Sequence, residues 1–157
     1  MAKIKIVTNG SIKDMILINA AELFRKKGFA AASVRELAEA LGIEAPSLYN
    51  HIGSKAELLQ EICFEVAKDY TAHMEDVLVS KKNAAQKTAD IIRFHVRKLS
   101  TDFNKVFVSE HEWKRLPQKN LEEFLAQRKL YEKNMIDIIK DGIEKNYLKI
   151  YCQVLLF

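Results

Sequence analysis

A serine followed three residues later by an acidic residue occurs three times near the start of this chain. The three pairs are Ser11 with Asp14, Ser33 with Glu36, and Ser54 with Glu57. In such a capping box the serine oxygen accepts a backbone N–H of the first helical turn, and the acidic side chain bonds back to the serine amide. The spacing predicts three helix starts. Any helices between the second start, at Ser33, and the third, at Ser54, must be short.

Glycines indicate where these helices end. Gly28 follows a basic turn, Gly42 follows an apolar stripe, and Gly53 precedes the third capping box. Glycine adopts the left-handed conformation that commonly ends a helix. Pro46 is tolerated only in a first helical turn, so a short third helix is predicted to begin there. The predicted helices cover about residues 11–28, 33–42 and 46–53, followed by a long helix from Ser54.

The rest of the chain keeps a helical period. One helix is predicted after a polar stretch at 80–83, another over about 103–110, and a long one over about 120–145. Only 5 Gly and 2 Pro occur in 157 residues, which favours long helices over a many-stranded sheet. Five residues at helical spacing mark the helix after the polar stretch: Ala89, Ile92, His95, Val96 and Leu99. The predicted fold class is all-α, with an N-terminal three-helix domain followed by a helical bundle.

Charge and cysteine content set broad limits on function. The formal net charge is +4 and divides evenly between the first 57 residues and the remainder, so it favours a polyanionic partner only weakly. Cys63 and Cys152 form no CxxC pair, and Cys63 is predicted to be a core residue. No signal segment opens the chain and no apolar run is long enough to span a membrane. The expectation is a cytoplasmic protein with reduced thiols and no membrane partner.

The informative feature is a pair of short helices joined at Gly42. An isolated helix of about seven residues is marginal in water, so the third helix needs neighbours to hold it. A helix-turn-helix with a glycine-containing turn places such a second helix in the major groove of DNA. Leu48 and Ile52 are predicted to face inward. Polar side chains that could reach bases or phosphates are Ser47, Tyr49, Asn50 and His51, with Lys55 as a phosphate clamp at the next helix start.

Residues 12–62 resemble the N-terminal domain of the TetR family of transcriptional regulators. The resemblance is carried at fixed spacings by Ile16, Leu17, Ala20, Leu23, Phe24, Gly28, Phe29, Ser33, Val34, Leu37, Ala38, Leu41, Gly42, Ile43, Leu48, Tyr49, Asn50, His51, Ile52, Ser54, Lys55, Leu58 and Leu59. It implies a repressor that binds a palindromic double-stranded operator as a homodimer and is released by a small-molecule effector.

The resemblance also implies roles for single residues. Arg35, Ala45, Pro46 and Ser47 fall at positions that contact bases. Positions that contact phosphates are occupied by Ser33, Tyr49, His51 and Lys55. Two residues depart from the family: Ala32 stands where many members have threonine, and Asn50 replaces a bulkier aromatic, so the operator sequence need not agree. Arg35 and Glu39 are also spaced to form a surface i, i+4 ion pair, which is the alternative interpretation of Arg35.

The second half of the chain is predicted to hold the effector. The segment 111–117, with Arg128, Tyr131 and Glu132, resembles members that respond to fatty-acyl or other lipid-like ligands. The candidate residues for an apolar pocket are Phe94, Phe103, Phe107, Trp113 and Tyr131. The alternative for each of them is an ordinary core position. The predicted domains are a basic arm at 1–10, a DNA-binding domain at 11–56 and an effector-binding and dimerisation domain at 57–157.

Other chemistry has little support in the sequence. The four histidines form no HxxxH or ExxH pair of the kind that a di-iron bundle requires, so no metal is expected. No catalytic residues and no cofactor are predicted, because no nucleophile–base or phosphate-cradling motif is present. Two alternatives stay open: a helical enzyme or metal-binding bundle with an incidental helix-turn-helix pattern, and a DNA-binding module without an effector.

The last eleven residues are apolar at nearly every position. A bare strip of this kind would be a sticky surface, which soluble monomers generally avoid. Either the chain is cut inside a longer gene product, or the strip is buried against the body of the protein or a second subunit. Residues 147–157 are predicted to form a short helix or extended tail that covers apolar surface. Any dimer is expected to be smaller than the family's or built differently.

Overall fold

The computed structural model describes residues 11–148, and in this range all regular structure is helical. The all-α prediction is confirmed. The elements are α1 (Ile12–Lys27), α2 (Val34–Leu41), α3 (Ala45–Tyr49), α4 (Lys55–Val79), α5 (Ala84–Thr101), α6 (Phe103–His111), a 3₁₀ turn (Trp113–Arg115) and α7 (Gln118–Glu144). The predicted arm at 1–10 and most of the predicted apolar tail, 149–157, lie outside the described residues. No helix of the described part is both long and apolar enough to cross a membrane.

The serine hydrogen bonds of the three predicted capping boxes form, and the reciprocal bond is present at α1 and α2. At the start of α1 the Asp14 amide donates to Ser11 Oγ (3.2 Å), and the Ser11 amide donates to Asp14 Oδ2 (2.8 Å). Ser33 and Glu36 make the same reciprocal pair before α2. Ser54 Oγ accepts the Glu57 amide at 3.1 Å. Local hydrogen bonds therefore set where these three helices begin.

A fourth capping box precedes α5 and was not predicted. Asn83 Oδ1 accepts the Gln86 amide, and Gln86 Oε1 accepts the Asn83 amide, both at 3.0 Å. The sequence prediction at this place is only a polar stretch. Asparagine followed three residues later by glutamine carries the same signal as the three serine pairs.

The described chain divides into two compact units. The first contains residues 11–64 and 104–121, so the short helices near the N-terminus share a unit with most of α6 and with the 3₁₀ turn. The second contains residues 65–103 and 122–148. Within the second unit Met74, Val77, Ala84, Ile91 and Ile138 form a buried cluster.

Helix α5 buries a different face from the one that its apolar spacing indicated. Ile91 and Phe94 are buried, whereas Ile92 and Val96 are 59% and 58% exposed and Leu99 is also exposed. The helix carries two apolar stripes, and spacing alone cannot tell which one its neighbours cover. The sequence predicts the helix and leaves its core-facing side open.

The α2 capping box should make stability depend on pH. Hydrogen bonds from Lys27 and from the amide and hydroxyl of Ser33 lower the pKa of Glu36 from 4.5 to about 2. A carboxylate whose pKa is lower in the folded state stabilises the fold above its unfolded pKa, and this contribution is lost as the pH falls from 4.5 towards 2. The free energy of unfolding of the wild type, measured in urea, should fall over this range more steeply than that of Glu36→Gln. Parallel pH profiles for the two proteins would contradict the prediction.

Candidate nucleic-acid interface

The turn between α2 and α3 is built on a left-handed glycine. Gly42 has φ 71° and ψ 27°, the conformation that favours glycine over residues with a Cβ. The Gly42 amide donates to Glu39 O (3.1 Å), and the Ile43 amide donates to Ala38 O (3.0 Å). These bonds satisfy the last carbonyls of α2 and turn the chain sharply into α3.

Helix α3 is held by its inner face. It spans only Ala45–Tyr49, with Pro46 in its first turn and no side-chain cap. Leu48 is fully buried and Ile52, one turn later, is only 8% exposed. Both residues therefore face inward as predicted. A helix of five residues has no stability of its own, so burial of these two side chains is what keeps it formed.

The other side chains of this segment face solvent. Tyr49 is 55% exposed, and Pro46, Ser47, Asn50 and His51 are exposed as well, whereas Ala45 is half-buried. The structure therefore brings six of the nine residues predicted for DNA contact together on α3 and the turn that follows it. We call the full predicted set the DNA-binding face; it comprises Ser33, Arg35, Ala45, Pro46, Ser47, Tyr49, Asn50, His51 and Lys55.

Ser33 and Arg35 belong to the start of α2. The Ser33 hydroxyl is engaged in the capping box with Glu36. The Arg35 side chain is 85% exposed, and its Nε lies 3.5 Å from Glu39 Oε1. An ion pair this exposed contributes little to stability, so it leaves the guanidinium available for another partner.

Lys55, the first residue of α4, points back at the connection between α1 and α2. Its Nζ donates to the carbonyl oxygens of Phe29 (2.8 Å) and Ala32 (2.7 Å), and the carbonyl of Ala30 lies at 3.4 Å. The same ammonium lies 4.5 Å from the centre of the Phe29 ring. No pattern in the sequence indicates these contacts; the resemblance implies a phosphate as the partner of this lysine. Its phosphate contact stays a prediction.

The five aromatic residues predicted to line an effector pocket do not come together in one unit. Phe94, Phe103 and Tyr131 belong to the second unit, whereas Phe107 and Trp113 belong to the first. Phe94 is buried and Phe103 is exposed, and the other three are half-buried. Phe107 stacks on His111 with ring centres 4.0 Å apart.

Phe94 and Tyr131 share an aromatic cluster with Tyr70, His73 and His95, none of which is predicted from the sequence to line the pocket. Tyr70 packs edge-on against Phe94 (5.1 Å), His73 stacks on Phe94 (4.0 Å), and His95 Nε2 lies 2.8 Å from the Tyr131 hydroxyl oxygen. Burial, together with Tyr70, raises the pKa of Tyr131 to about 12. Burial lowers the pKa of His73, and its Nδ1 is buried without a hydrogen-bond partner.

A groove of about 480 Å³ lies in the second unit, along the first turns of α5. It is lined by Lys82, Ala85, Gln86, Ala89, Asp90 and Arg93, and by none of the five aromatic residues. Asp90 binds both Lys82 and Arg93, so the charged groups of the groove are paired with one another. Residues 11–148 hold no group of three or more His, Cys, Asp or Glu arranged to bind a metal ion.

Two family models match the chain. Residues 16–62 match the model described as bacterial regulatory proteins of the tetR family, and residues 81–153 match a tetracycline repressor-like C-terminal domain. The first match covers α2, α3 and the connections on either side of them.

Individual relatives agree with the family models. The HTH-type transcriptional repressor KstR2 of Mycobacterium tuberculosis is 25% identical over 140 residues, 88% of this chain and 70% of the relative. The structure of KstR2, described as a ketosteroid transcriptional regulator, superposes with a TM-score of 0.84 and covers 94% of this chain and 76% of that one. The regulator PfmR from Thermus thermophilus is 31% identical, with a TM-score of 0.75 over 86% of this chain and 74% of its own.

The buried and exposed faces of α3 should contribute differently to stability, and Leu48→Ala tests this difference. Truncating a fully buried leucine leaves a cavity and costs about 2–5 kcal/mol of unfolding free energy. Tyr49→Ala, on the exposed side of the same turn, serves as the matched control and should change the free energy by less than about 0.5 kcal/mol. Urea unfolding followed by circular dichroism measures both. Equal losses in the two variants would mean that Leu48 does not anchor the helix.

Proposed function

The chain belongs to the TetR family of bacterial transcriptional regulators, and from this premise we propose that it is an operator-binding repressor controlled by a small molecule. In this proposal residues 11–56 bind DNA, and residues 57–157 bind the effector and a second copy of the chain. The family is one of regulators rather than enzymes. Because a bacterial operator lies on the chromosome, the proposed place of action is the cytoplasm.

The observation that carries the proposal is the division of α3 into a buried anchor and an exposed polar surface. Leu48 and Ile52 fix the helix from below, while Ser47, Tyr49 and His51 lie on the outside. A packed helix whose outer side chains are hydrogen-bonding groups is suited to entering a major groove, where base edges present donors and acceptors. We therefore assign α3 as the recognition helix.

The residues of the DNA-binding face divide between base and phosphate contacts. Arg35, Ala45, Pro46 and Ser47 are proposed to contact base edges, since arginine donates to guanine and small apolar groups contact the thymine methyl. The proposed phosphate contacts are Ser33, Tyr49 and His51, and Asn50 lies between the two groups. The Lys55 ammonium is bound to backbone carbonyls of the turn after α1, so no phosphate is assigned to it. Phosphate contacts fix the position of the protein on the duplex, whereas base contacts select the sequence.

The small size of the recognition helix supports a dimer, because one subunit reads only a short DNA sequence. Five helical residues reach only a few base pairs, so one subunit contributes limited specificity. Two subunits related by a twofold axis bind two half-sites about 34 Å apart, which gives a palindromic operator. The proposed assembly is accordingly a homodimer.

The proposed effector is an apolar small molecule. The name of KstR2, a ketosteroid transcriptional regulator, supports this class of ligand, as does the aromatic cluster that contains Phe94 and Tyr131. The effector would act by a population shift, because it must bind the conformation that does not fit the operator more tightly than the one that does.

Arg35 offers a sharp test of base recognition. Selection from a random DNA library should yield a palindrome for the wild type, and Arg35→Ala should lose its preference at one base pair per half-site, at a cost of about 1–3 kcal/mol. Glu39→Ala is the control, because it removes the same surface ion pair without removing the guanidinium. If the two variants select the same sequence as the wild type, Arg35 is only a surface charge. Failure of the wild type to enrich any sequence would overturn the proposed function.

Release by an effector can be tested on the selected duplex. Addition of long-chain acyl compounds or ketosteroids to the complex should dissociate the DNA, as measured by fluorescence anisotropy. Phe94→Ala should still bind the duplex but respond to the compound only at a higher concentration, because the variant removes a buried ring from the proposed contact surface. A variant that responds at the same concentration as the wild type would exclude Phe94 from the effector site.

A further inference from the structure

Two charged side chains hold the turn between α1 and α2, which we call the clamped turn and define as residues 28–33. Lys55 Nζ donates to the carbonyl oxygens of Phe29 and Ala32, with that of Ala30 at 3.4 Å. An ammonium group has three protons, and three carbonyl oxygens face it. The Phe29 ring below the ammonium packs edge-on against the buried Phe24 ring, with centres 5.2 Å apart. Lys55 is therefore seated on this turn by charge-assisted bonds rather than extended into solvent.

Glu112 binds the same turn through its carboxylate, which accepts a hydrogen bond from a backbone amide. Its Oε1 accepts the Phe29 amide at 3.0 Å, and its Oε2 lies 3.2 Å from Arg115 Nε. Gly28, with φ 79°, turns the chain at this point, and a Cβ on Gly28 would lie 3.5 Å from Glu112 Oε1. Nearby, Arg25 Nε donates to Asn104 Oδ1. Phe29 thus has its carbonyl bound by a cation and its amide bound by an anion.

The clamped turn determines where α2 begins. It ends at Ser33, whose hydroxyl accepts the Glu36 amide and caps α2. The helix α2 in turn carries the glycine turn and α3, whose outer surface is the proposed recognition surface. Since α3 is too short to define its own orientation, any looseness in the turn would pass through α2 to the residues that face DNA.

We propose that Lys55 and Glu112 are positioning residues for DNA binding, which act by fixing the clamped turn and not by touching DNA. The part of this inference that concerns DNA binding rests on the proposed function. It assigns to Lys55 a different task from the phosphate contact that the resemblance implies. It also makes operator affinity depend on Glu112, a residue of the second half of the sequence that lies beyond the predicted DNA-binding domain at 11–56.

The first test needs no DNA. Amide hydrogen exchange of the free protein should show Phe29 protected in the wild type. In Glu112→Met this protection should fall by about tenfold, which corresponds to about 1.4 kcal/mol of local stability. Glu112→Gln keeps a carbonyl oxygen that accepts the Phe29 amide, so it should restore protection. Glu110→Met, an exposed neighbour on α6, is the control for loss of a negative charge. Equal exchange at Phe29 in all four proteins would overturn the inference, whether or not the protein binds DNA.

The second test separates positioning from phosphate contact. A lost phosphate contact flattens the plot of log affinity against log salt by about 0.9 per contact, whereas a disordered turn weakens binding without changing the slope. With the library-selected duplex, Lys55→Met should weaken binding about tenfold at an unchanged slope, and Lys68→Met, an exposed lysine of α4, should have no effect. The double variant with Glu112→Met should lose less affinity than the two single losses combined, because both residues act on one turn.

Three results would contradict the inference. They are a slope that flattens by about one unit per subunit in Lys55→Met, unchanged affinity in Glu112→Met, and fully additive losses in the double variant. Thermal unfolding of each variant shows that the comparison is made on folded protein. If Lys55→Met does not fold, Glu112→Met and Glu112→Gln supply the same comparison of affinity and slope.

Discussion

Burial of Leu48 is the interaction on which the proposed DNA-binding surface depends. This leucine is fully buried, and Ile52 supports it one turn later. Helix α3 has five residues and no side-chain cap, so its backbone hydrogen bonds alone do not hold it against the entropy of the chain. Because Leu48 and Ile52 supply the core contacts, the opposite side of the segment is not needed for packing. That side carries Ser47, Tyr49 and His51.

The support of α3 extends outward through α2. Gly42 fixes the angle between the two helices through its left-handed backbone, and the Ser33 capping box fixes the start of α2. Before Ser33, the backbone of the turn after α1 is bound by Lys55 and Glu112. Each connection around the short helices is therefore defined by hydrogen bonds or by a special backbone conformation, which holds the exposed side of α3 in a fixed position.

The sequence predicted those features that depend on neighbours along the chain. Capping boxes, the helix ends at Gly28 and Gly42 and the proline in the first turn of α3 involve residues at most four positions apart, and these features agree with prediction. The predicted end of α3 at Gly53 is wrong, because the helix ends at Tyr49 and Asn50 caps it. The inward-facing pair Leu48 and Ile52 was predicted for the same reason. The exposed surface of α3 followed directly, because the residues between the two anchors point away from them.

Features that depend on distant residues were not predicted. No pattern in the sequence indicates that Lys55 Nζ reaches the carbonyl of Phe29, or that Glu112 accepts its amide from 83 positions away. The buried face of α5 could not be chosen from spacing, since apolar residues occupy two of its sides. The five effector candidates were grouped by residue type, and the structure divides them between two units because aromatic side chains also serve as ordinary packing groups.

The central claim is that α3 enters the major groove, and backbone amide shifts measured by NMR test it most directly. On addition of the library-selected duplex, the largest shift changes should fall at residues 33–35 and 44–51. Changes in the second unit should be smaller than these. Largest changes within residues 65–103, with α3 unaffected, would contradict the assignment of α3 as the recognition helix.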